Sequence, residues 1–278
     1  MSIRTSVLAG LLAVGLAACS SSSTSTPTVA PTTAGSAAAN APSAALTVYA
    51  AASLKAALAK ATEAYTAAHP GTSFTVSTDS SSALETKIEQ GAPVDVFLSA
   101  DTSNPQKLVD KGLASGAPTK FAGNLLTVIV PTANPAGIQT PADLAKSGVK
   151  VIAAGDTVPI TKYANQLVAN LAKQTGYPAD FAAKYAANIA SKEDNVAAVV
   201  TKVGLGEGDG GIVYVTDAKG SDKVTAVDVP AAANVPATYG GVVAKASPNQ
   251  DAAKAFLAWL AGPDGQAVLA PFGFLPPS

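Results

Sequence analysis

The chain has 278 residues, with 18 Lys+Arg against 19 Asp+Glu and a formal net charge of −1. Without a basic field it offers no electrostatic footprint for nucleic acid, and no Lys/Arg block marks an anionic membrane surface. A single cysteine excludes an internal disulfide, and a single histidine excludes a His metal cluster.

In chain order, Arg4 precedes an apolar run from Val7 to Ala18 that is broken only by glycines. The run is too short to span a bilayer as a helix and suits the core of a signal peptide. Leu16-Ala17-Ala18-Cys19 resembles the lipobox of bacterial lipoproteins. Residues 1–18 are therefore expected to be removed, with Cys19 carrying a lipid at the cell membrane, on its extracytoplasmic face. Residues 19–43 add uncharged Ser, Thr, Ala and Pro with no hydrophobic period, and read as the lipidated cysteine and a flexible tether.

The folded part starts near Ala44. Residues 46–51 form a strand, and Leu54, Leu58, Ala61, Tyr65 and Ala68 then recur at helical spacing until Pro70-Gly71. His69, just before that stop, reads as a solvated helix cap, so no Ser/His/Asp triad is available. Residues 74–77 form a second strand. A short helix follows, with Ser82 and Glu85 spaced as a capping box. A third strand covers 94–99, and a helix around 106–111 ends at Gly112. Residues 125–130 make a strong strand closed by Pro131, and Thr140-Pro141 opens a helix with proline at its first position.

The second half continues the alternation. A strand at 150–154 precedes a long helix from Ile160 to Thr175. Helices at 179–189 and 196–203 follow. Gly204 to Gly211 is glycine-rich but precedes a strand and lacks the Lys and Ser/Thr of a phosphate loop, so it reads as a turn. Strands at 211–215, 224–229 and 241–244 come next, and Ser247-Pro248 leads into a C-terminal helix carrying Phe256, Leu257, Trp259 and Leu260. Strand–helix alternation predicts an α/β fold whose ligands bind at the carboxyl ends of strands, where helices begin.

Those junctions carry the chemistry. Ser53 starts the first helix, Ser80-Ser81-Ser82 the second, Thr157-Val158-Pro159-Ile160 a third and Glu193-Asp194-Asn195-Val196 a fourth. First-turn N–H groups have no intrahelical partner and lie at the positive end of the dipole. Several such ends meeting at one point make an anion site that needs no Lys or Arg. Taken singly, each serine reads equally well as an N-cap, and Tyr214 on its strand as a core aromatic.

The runs AAASL, SSSALETKIEQGAPVDVFLSAD, GDTVPITKYA, EDNV and GIVYVTDA, with a GFL ending, resemble the molybdate-binding proteins of bacterial ABC importers from about Leu46 to Leu275. The resemblance implies a two-lobed type II periplasmic-binding-protein fold, with mixed sheets flanked by helices and a two-stranded hinge. One lobe would hold 45–123 plus 235–278, the other 124–234. It implies a binding protein rather than an enzyme, without cofactor or free metal cation, that takes molybdate or tungstate as an oxyanion. The expected partners are the permease of an ABC importer and, through Cys19, the membrane; the protein is expected to be a monomer. Sulfate, or another oxyanion on the same fold, is the alternative ligand.

Carried over by motif, the oxyanion contacts would be the hydroxyls and amides of Ser53 and Ser81, the amides of Ile160 and Asn195, and the hydroxyl of Tyr214. Ile160 stands where the family often has a small residue, and Asn195 where it often has valine. The triple serine leaves Ser80, Ser81 and Ser82 open as candidates.

Overall fold

Short apolar stretches with alternating burial pair into sheets, and the amphipathic segments between them cover the sheet faces. The structure, a computed structural model, describes residues 44–277. The signal peptide, Cys19 and the tether expected from the sequence lie outside the described residues.

The first sheet collects β1 (Ala45–Ala51), β2 (Ser73–Asp79), β3 (Val96–Ser99), β4 (Thr119–Asn124) and, from far along the chain, β10 (Ala237–Val243). Its order is β2-β1-β3-β10-β4. β1 is parallel to both β2 and β3, while β10 runs antiparallel to β3 and β4. The parallel crossovers are α1 (Lys55–Ala68), entered through a 3-10 turn at Ala52–Leu54, and α2 (Ser81–Glu89). α3 (Ser103–Asp110) follows β3.

The second sheet is built from β5 (Leu126–Pro131), β8 (Gly211–Tyr214) and β9 (Val224–Val227) in the order β8-β5-β9. A parallel pair, β6 (Val151–Ala154) with β7 (Ile189–Glu193), joins its edge through the bridge between Val151 and Gly210. The Ile152 amide donates to the Gly210 carbonyl at 2.9 Å. Between these strands run α4 (Pro159–Leu171), α5 (Phe181–Ala187), α6 (Val196–Gly204) and the short α7 (Val215–Lys219). α8 (Gln250–Ala261) and α9 (Pro263–Leu269) close the chain. Each sheet therefore has the same plan, a parallel β-α-β unit extended by antiparallel strands.

The chain leaves the first sheet at Asn124 and enters the second at Leu126. The return crossing, between β9 and β10, lies beside it. Asn234 ties the two: its amide nitrogen donates to the Leu126 carbonyl at 2.8 Å, and its oxygen accepts the Leu126 N–H at 3.0 Å. A side-chain amide thus supplies the pairing that a backbone neighbour would.

Several elements differ from the sequence expectation. β4, β7, α7 and α9 were not anticipated, and α4 ends at Leu171, short of Thr175. α2 is capped by Ser80, whose hydroxyl accepts from the Ala83 N–H at 3.3 Å, so the Ser82/Glu85 capping box is corrected to an earlier start. Glu85 is instead 5% exposed, with one carboxyl oxygen unpartnered. His69 ends α1 as expected, with its ring stacked on Tyr65 at 4.0 Å.

Burial, and then hydrogen bonding to Glu89, push the Glu85 carboxyl up to about 7. Burial also raises Asp217 to about 7, against the Tyr214 N–H that it accepts. A carboxyl whose pKa rises on folding holds its proton more tightly in the native state. Its stabilising contribution is complete below the unfolded value and is lost as pH climbs through about 7. The melting temperature is therefore expected to fall between about pH 5 and about pH 8. Glu85→Gln should flatten part of that slope in a pH series of thermal melts; an unchanged slope would contradict the assignment.

Candidate functional site

Four helix starts converge on a small cavity between the two sheets. It is lined by Ser53, Ser80, Ser81, Ala100, Ile160, Val196 and Tyr214 among others, with no charged residue in its wall. Two of the starts come from the first sheet and two from the second.

Residues from each junction line the cavity. At α2, the Ser80 hydroxyl takes the Ala83 amide and the Ser80 carbonyl takes the Leu84 amide at 3.0 Å. That leaves the Ser81 amide without an intrahelical partner. The fully buried Ser81 hydroxyl accepts from the Ala100 N–H at 3.0 Å, so its own hydrogen is available to another group. The Ser99-Ala100-Asp101 run sets up this contact. Asp101 fastens the turn by accepting from the Ser99 and Ser103 hydroxyls at 2.8 and 2.7 Å, which holds the Ala100 amide in place.

At α4, Pro159 occupies the first position and has no N–H, so Ile160 supplies the first available amide. Thr161 N–H is already given to the Val158 carbonyl at 3.0 Å. Ile160 is 1% exposed and also borders a recess behind α4 with Ala164 and Ile212, so its bulk is accommodated in the core.

At α6 the junction offers two neighbouring residues. Asn195 is the N-cap: its side-chain oxygen accepts the Ala198 amide at 3.1 Å, and its backbone is extended. Its side-chain nitrogen donates not into the cavity but to Asp79 at 3.2 Å. Asp79 ends β2 on the first sheet, so this hydrogen bond clasps the two halves across the cleft. Partial burial raises the Asp79 carboxyl, but the Ser80 amide, Lys87 and Asn195 outweigh it and hold it below the usual carboxylate range. The residue of this junction that lines the cavity is Val196, the first residue of α6. Capping commits the Asn195 side-chain oxygen to the Ala198 amide and leaves the first-turn amide of Val196 without an intrahelical partner.

Tyr214, the last residue of β8, is 1% exposed. Its hydroxyl is buried and unpartnered among the described residues. Burial raises its pKa well above 10, so it stays a donor. Ser53 holds the fourth start, and its hydroxyl lies 2.9 Å from that of Tyr239. Tyr239 and Val196 were absent from the sequence-based site. Valine carries no chemical signal, because only its backbone amide could donate a hydrogen bond. Tyr239 was hidden in a strand 186 residues away from Ser53.

Larger grooves exist, one at the amino-terminal edge of β1 around Ala45, Asp95 and Asn249, another at the cleft mouth around Asp79 and Lys107. The first touches no helix start of the second sheet; the second borders the outer side of the same α2, α4 and α6 starts but carries the charged Asp79, Glu85, Lys107 and Asp194 in its wall. Among the described residues no group of three or more His, Cys, Asp or Glu could hold a metal ion, and no helix is long and apolar enough to cross a membrane.

Two α/β lobes joined by paired crossings, with a donor-lined cavity between them, define the class of two-lobed solute-binding proteins. The profile of the bacterial extracellular solute-binding proteins matches residues 46–275, and the chain belongs to that family. It is 32% identical to the molybdate-binding protein ModA of Mycobacterium tuberculosis H37Rv over 278 residues, covering 100% of this chain and 99% of the relative. It is 32% identical to ModA of Haemophilus influenzae, covering 83% and 90% respectively. Among solved structures, the Azotobacter vinelandii periplasmic molybdate-binding protein superposes with a TM-score of 0.71 at 22% identity, covering 84% of this chain and 100% of that one. The sulfate-binding protein SubI of M. tuberculosis H37Rv superposes at 0.74 with 21% identity, covering 84% and 86%. At those identities the two structures establish the fold alone, which is the type II periplasmic-binding architecture expected from the sequence.

Proposed function

We propose that this protein captures molybdate outside the cytoplasm and delivers it to the permease of an ABC importer, held at the membrane by a lipid on Cys19. The observation that supports the ligand reading is the wall of the cavity: it holds no charged side chain, and it collects the hydroxyls of Ser53, Ser81 and Tyr214 and helix-start residues from both lobes. The 32% identity to molybdate-binding proteins over the whole chain supports the choice of oxyanion.

In this reading Ser53 and Ser81 donate from hydroxyl and amide, Ile160 and Val196 from the amide alone, and Tyr214 from its phenol. A fully deprotonated dianion only accepts hydrogen bonds, so it matches a wall of donors. Hydrogen phosphate carries a proton that would meet no acceptor, at a cost of about 1–3 kcal/mol. Tungstate has the same chemistry and nearly the same size as molybdate, and is expected to bind. Sulfate is the second reading. It too only accepts, and the fold likeness to a sulfate-binding protein favours testing it directly.

A thermal-shift series with molybdate, tungstate, sulfate and phosphate separates these cases. Ligand at 100 times its dissociation constant adds about 2.7 kcal/mol of stability, which raises the midpoint of a domain of this size by roughly 5–10 °C. Molybdate and tungstate are expected to act at the lowest concentrations. Sulfate acting first would transfer the function to sulfate capture, and no shift with any oxyanion would overturn the reading.

A further inference from the structure

We infer that Tyr239 and Asn124 are specificity-determining positioning residues that force the Ser53 hydroxyl to present its hydrogen, not its lone pairs, to the bound oxyanion. The inference rests on the oxyanion site proposed above and concerns residues outside its wall.

The directional argument starts at the hinge. Asn124 is the last residue of β4, where the chain leaves the first sheet. Its side-chain oxygen accepts the Leu125 N–H at 2.9 Å. That contact settles which end of the amide is which, and turns the nitrogen inward. The nitrogen then donates to the Thr216 hydroxyl at 2.9 Å and to the Tyr239 hydroxyl at 3.2 Å.

An amide nitrogen can only donate, so the Tyr239 oxygen is the acceptor in this contact. The phenol's own hydrogen must go elsewhere, and its other hydrogen-bond partner among the described residues is the Ser53 oxygen at 2.9 Å. Ser53 therefore accepts from Tyr239, and its hydrogen is left for the cavity. In the reverse arrangement Ser53 would donate to Tyr239, and the phenol hydrogen would have no acceptor in a fully buried place. Burial also keeps this phenol protonated far above neutral pH.

The same amide reaches both lobes. Thr216 lies in the first turn of α7, which follows directly on Tyr214, so Asn124 links the strand crossing to two hydroxyls behind the wall, Tyr239 beside Ser53 and Thr216 beside Tyr214. The chain of contacts makes Ser53 a committed donor, as the Ala100 amide does for Ser81. The wall discriminates against protonated oxyanions because its hydroxyls cannot turn round to accept.

The experiment measures dissociation constants for molybdate and for hydrogen phosphate by calorimetry in the full chain and three variants. Tyr239→Phe frees Ser53 to rotate. Molybdate affinity should fall by about threefold to tenfold while phosphate affinity holds or rises, narrowing the ratio by about tenfold. Asn124→Asp replaces the donor with an acceptor, so the chain reverses and Ser53 offers lone pairs. The ratio should narrow further, and because both ligands are dianions the added charge cancels from it. A purely structural role for Tyr239 would lower both affinities together, and an unchanged ratio in both variants overturns the proposal. Ser53→Ala separates the two levels. If it leaves molybdate affinity intact, the site reading itself fails; if it weakens molybdate while the ratio in the other variants stays fixed, only the inference drawn here fails.

Discussion

Ser81→Ala is expected to weaken molybdate binding by about tenfold to a hundredfold, since a hydrogen bond to a charged partner contributes roughly 1.5–3 kcal/mol. The effect has two sources. The hydroxyl is lost as a donor to the ligand, and the Ala100 N–H, 3.0 Å from it, loses its acceptor in a buried place. The second source acts on the free protein as well, so the variant should also melt somewhat lower without ligand. Ser53→Ala should show a binding loss of similar size, with the Tyr239 hydroxyl then lacking its acceptor. Calorimetry that finds unchanged affinity in both variants would refute the assignment of these serines. Ser80→Ala is the contrasting case. Its hydroxyl is committed to the Ala83 amide as a helix cap, so it should cost stability of about 1 kcal/mol and leave affinity nearly intact.

Phe256→Ala is expected to be the most damaging of these changes to stability. Phe256 is fully buried on α8. Its ring lies 4.7 Å from that of Phe74 on β2, 5.1 Å from Tyr65 on α1 and 6.3 Å from Trp259. It therefore joins the carboxyl-terminal helix to the first crossover of the opposite end of the chain. Truncating a buried phenylalanine costs about 3–5 kcal/mol, a large part of the 5–15 kcal/mol that holds a typical domain. For a domain of this size the midpoint should drop by roughly 10 °C, as read by calorimetric melting. Ligand discrimination should be unaffected, because the cluster lies away from the cavity wall. A loss below about 1 kcal/mol would mean that the cluster repacks, and that the aromatic contacts are not what fastens α8.

Much of the fold was legible because burial leaves periodic marks. β1, β5 and β6 are dense apolar runs, and α1 and α8 carry apolar residues at helical spacing. The elements that escaped lack such marks. β7 reads Ile-Ala-Ser-Lys-Glu, with only one large apolar residue, and is held by its parallel register with β6. β4 contains both Gly123 and Asn124, residues that disfavour strands, yet it pairs with β10 on one side and with the Leu275 backbone on the other. α7 and α9 are too short, at 5 and 7 residues, for a period to register.

The candidate site divides along the same line. Ser53, Ser81, Ile160 and Tyr214 were placed from motif order, and the structure brings all of them to one cavity. Asn195 caps α6, and its successor Val196 lines that cavity. Any polar residue at a helix start can cap it, and sequence does not show whether the cap or its successor faces the ligand. The triple serine had the same ambiguity. The structure gives the two buried serines different partners: the Ser81 hydroxyl accepts from the amide of residue 100 and the Ser80 hydroxyl from that of residue 83.

The sequence by itself determined the kind of chemistry: helix starts rich in hydroxyls, no histidine or cysteine to spare, and no charge to neutralise an anion directly. Those are local properties, written in adjacent residues and in composition. Only the tertiary structure decided which donors meet and which way each hydroxyl points. A hydroxyl can donate or accept, and the choice belongs to whatever lies on its other side. For Ser81 that is the amide of residue 100; for Ser53 it is a tyrosine and an asparagine from distant strands.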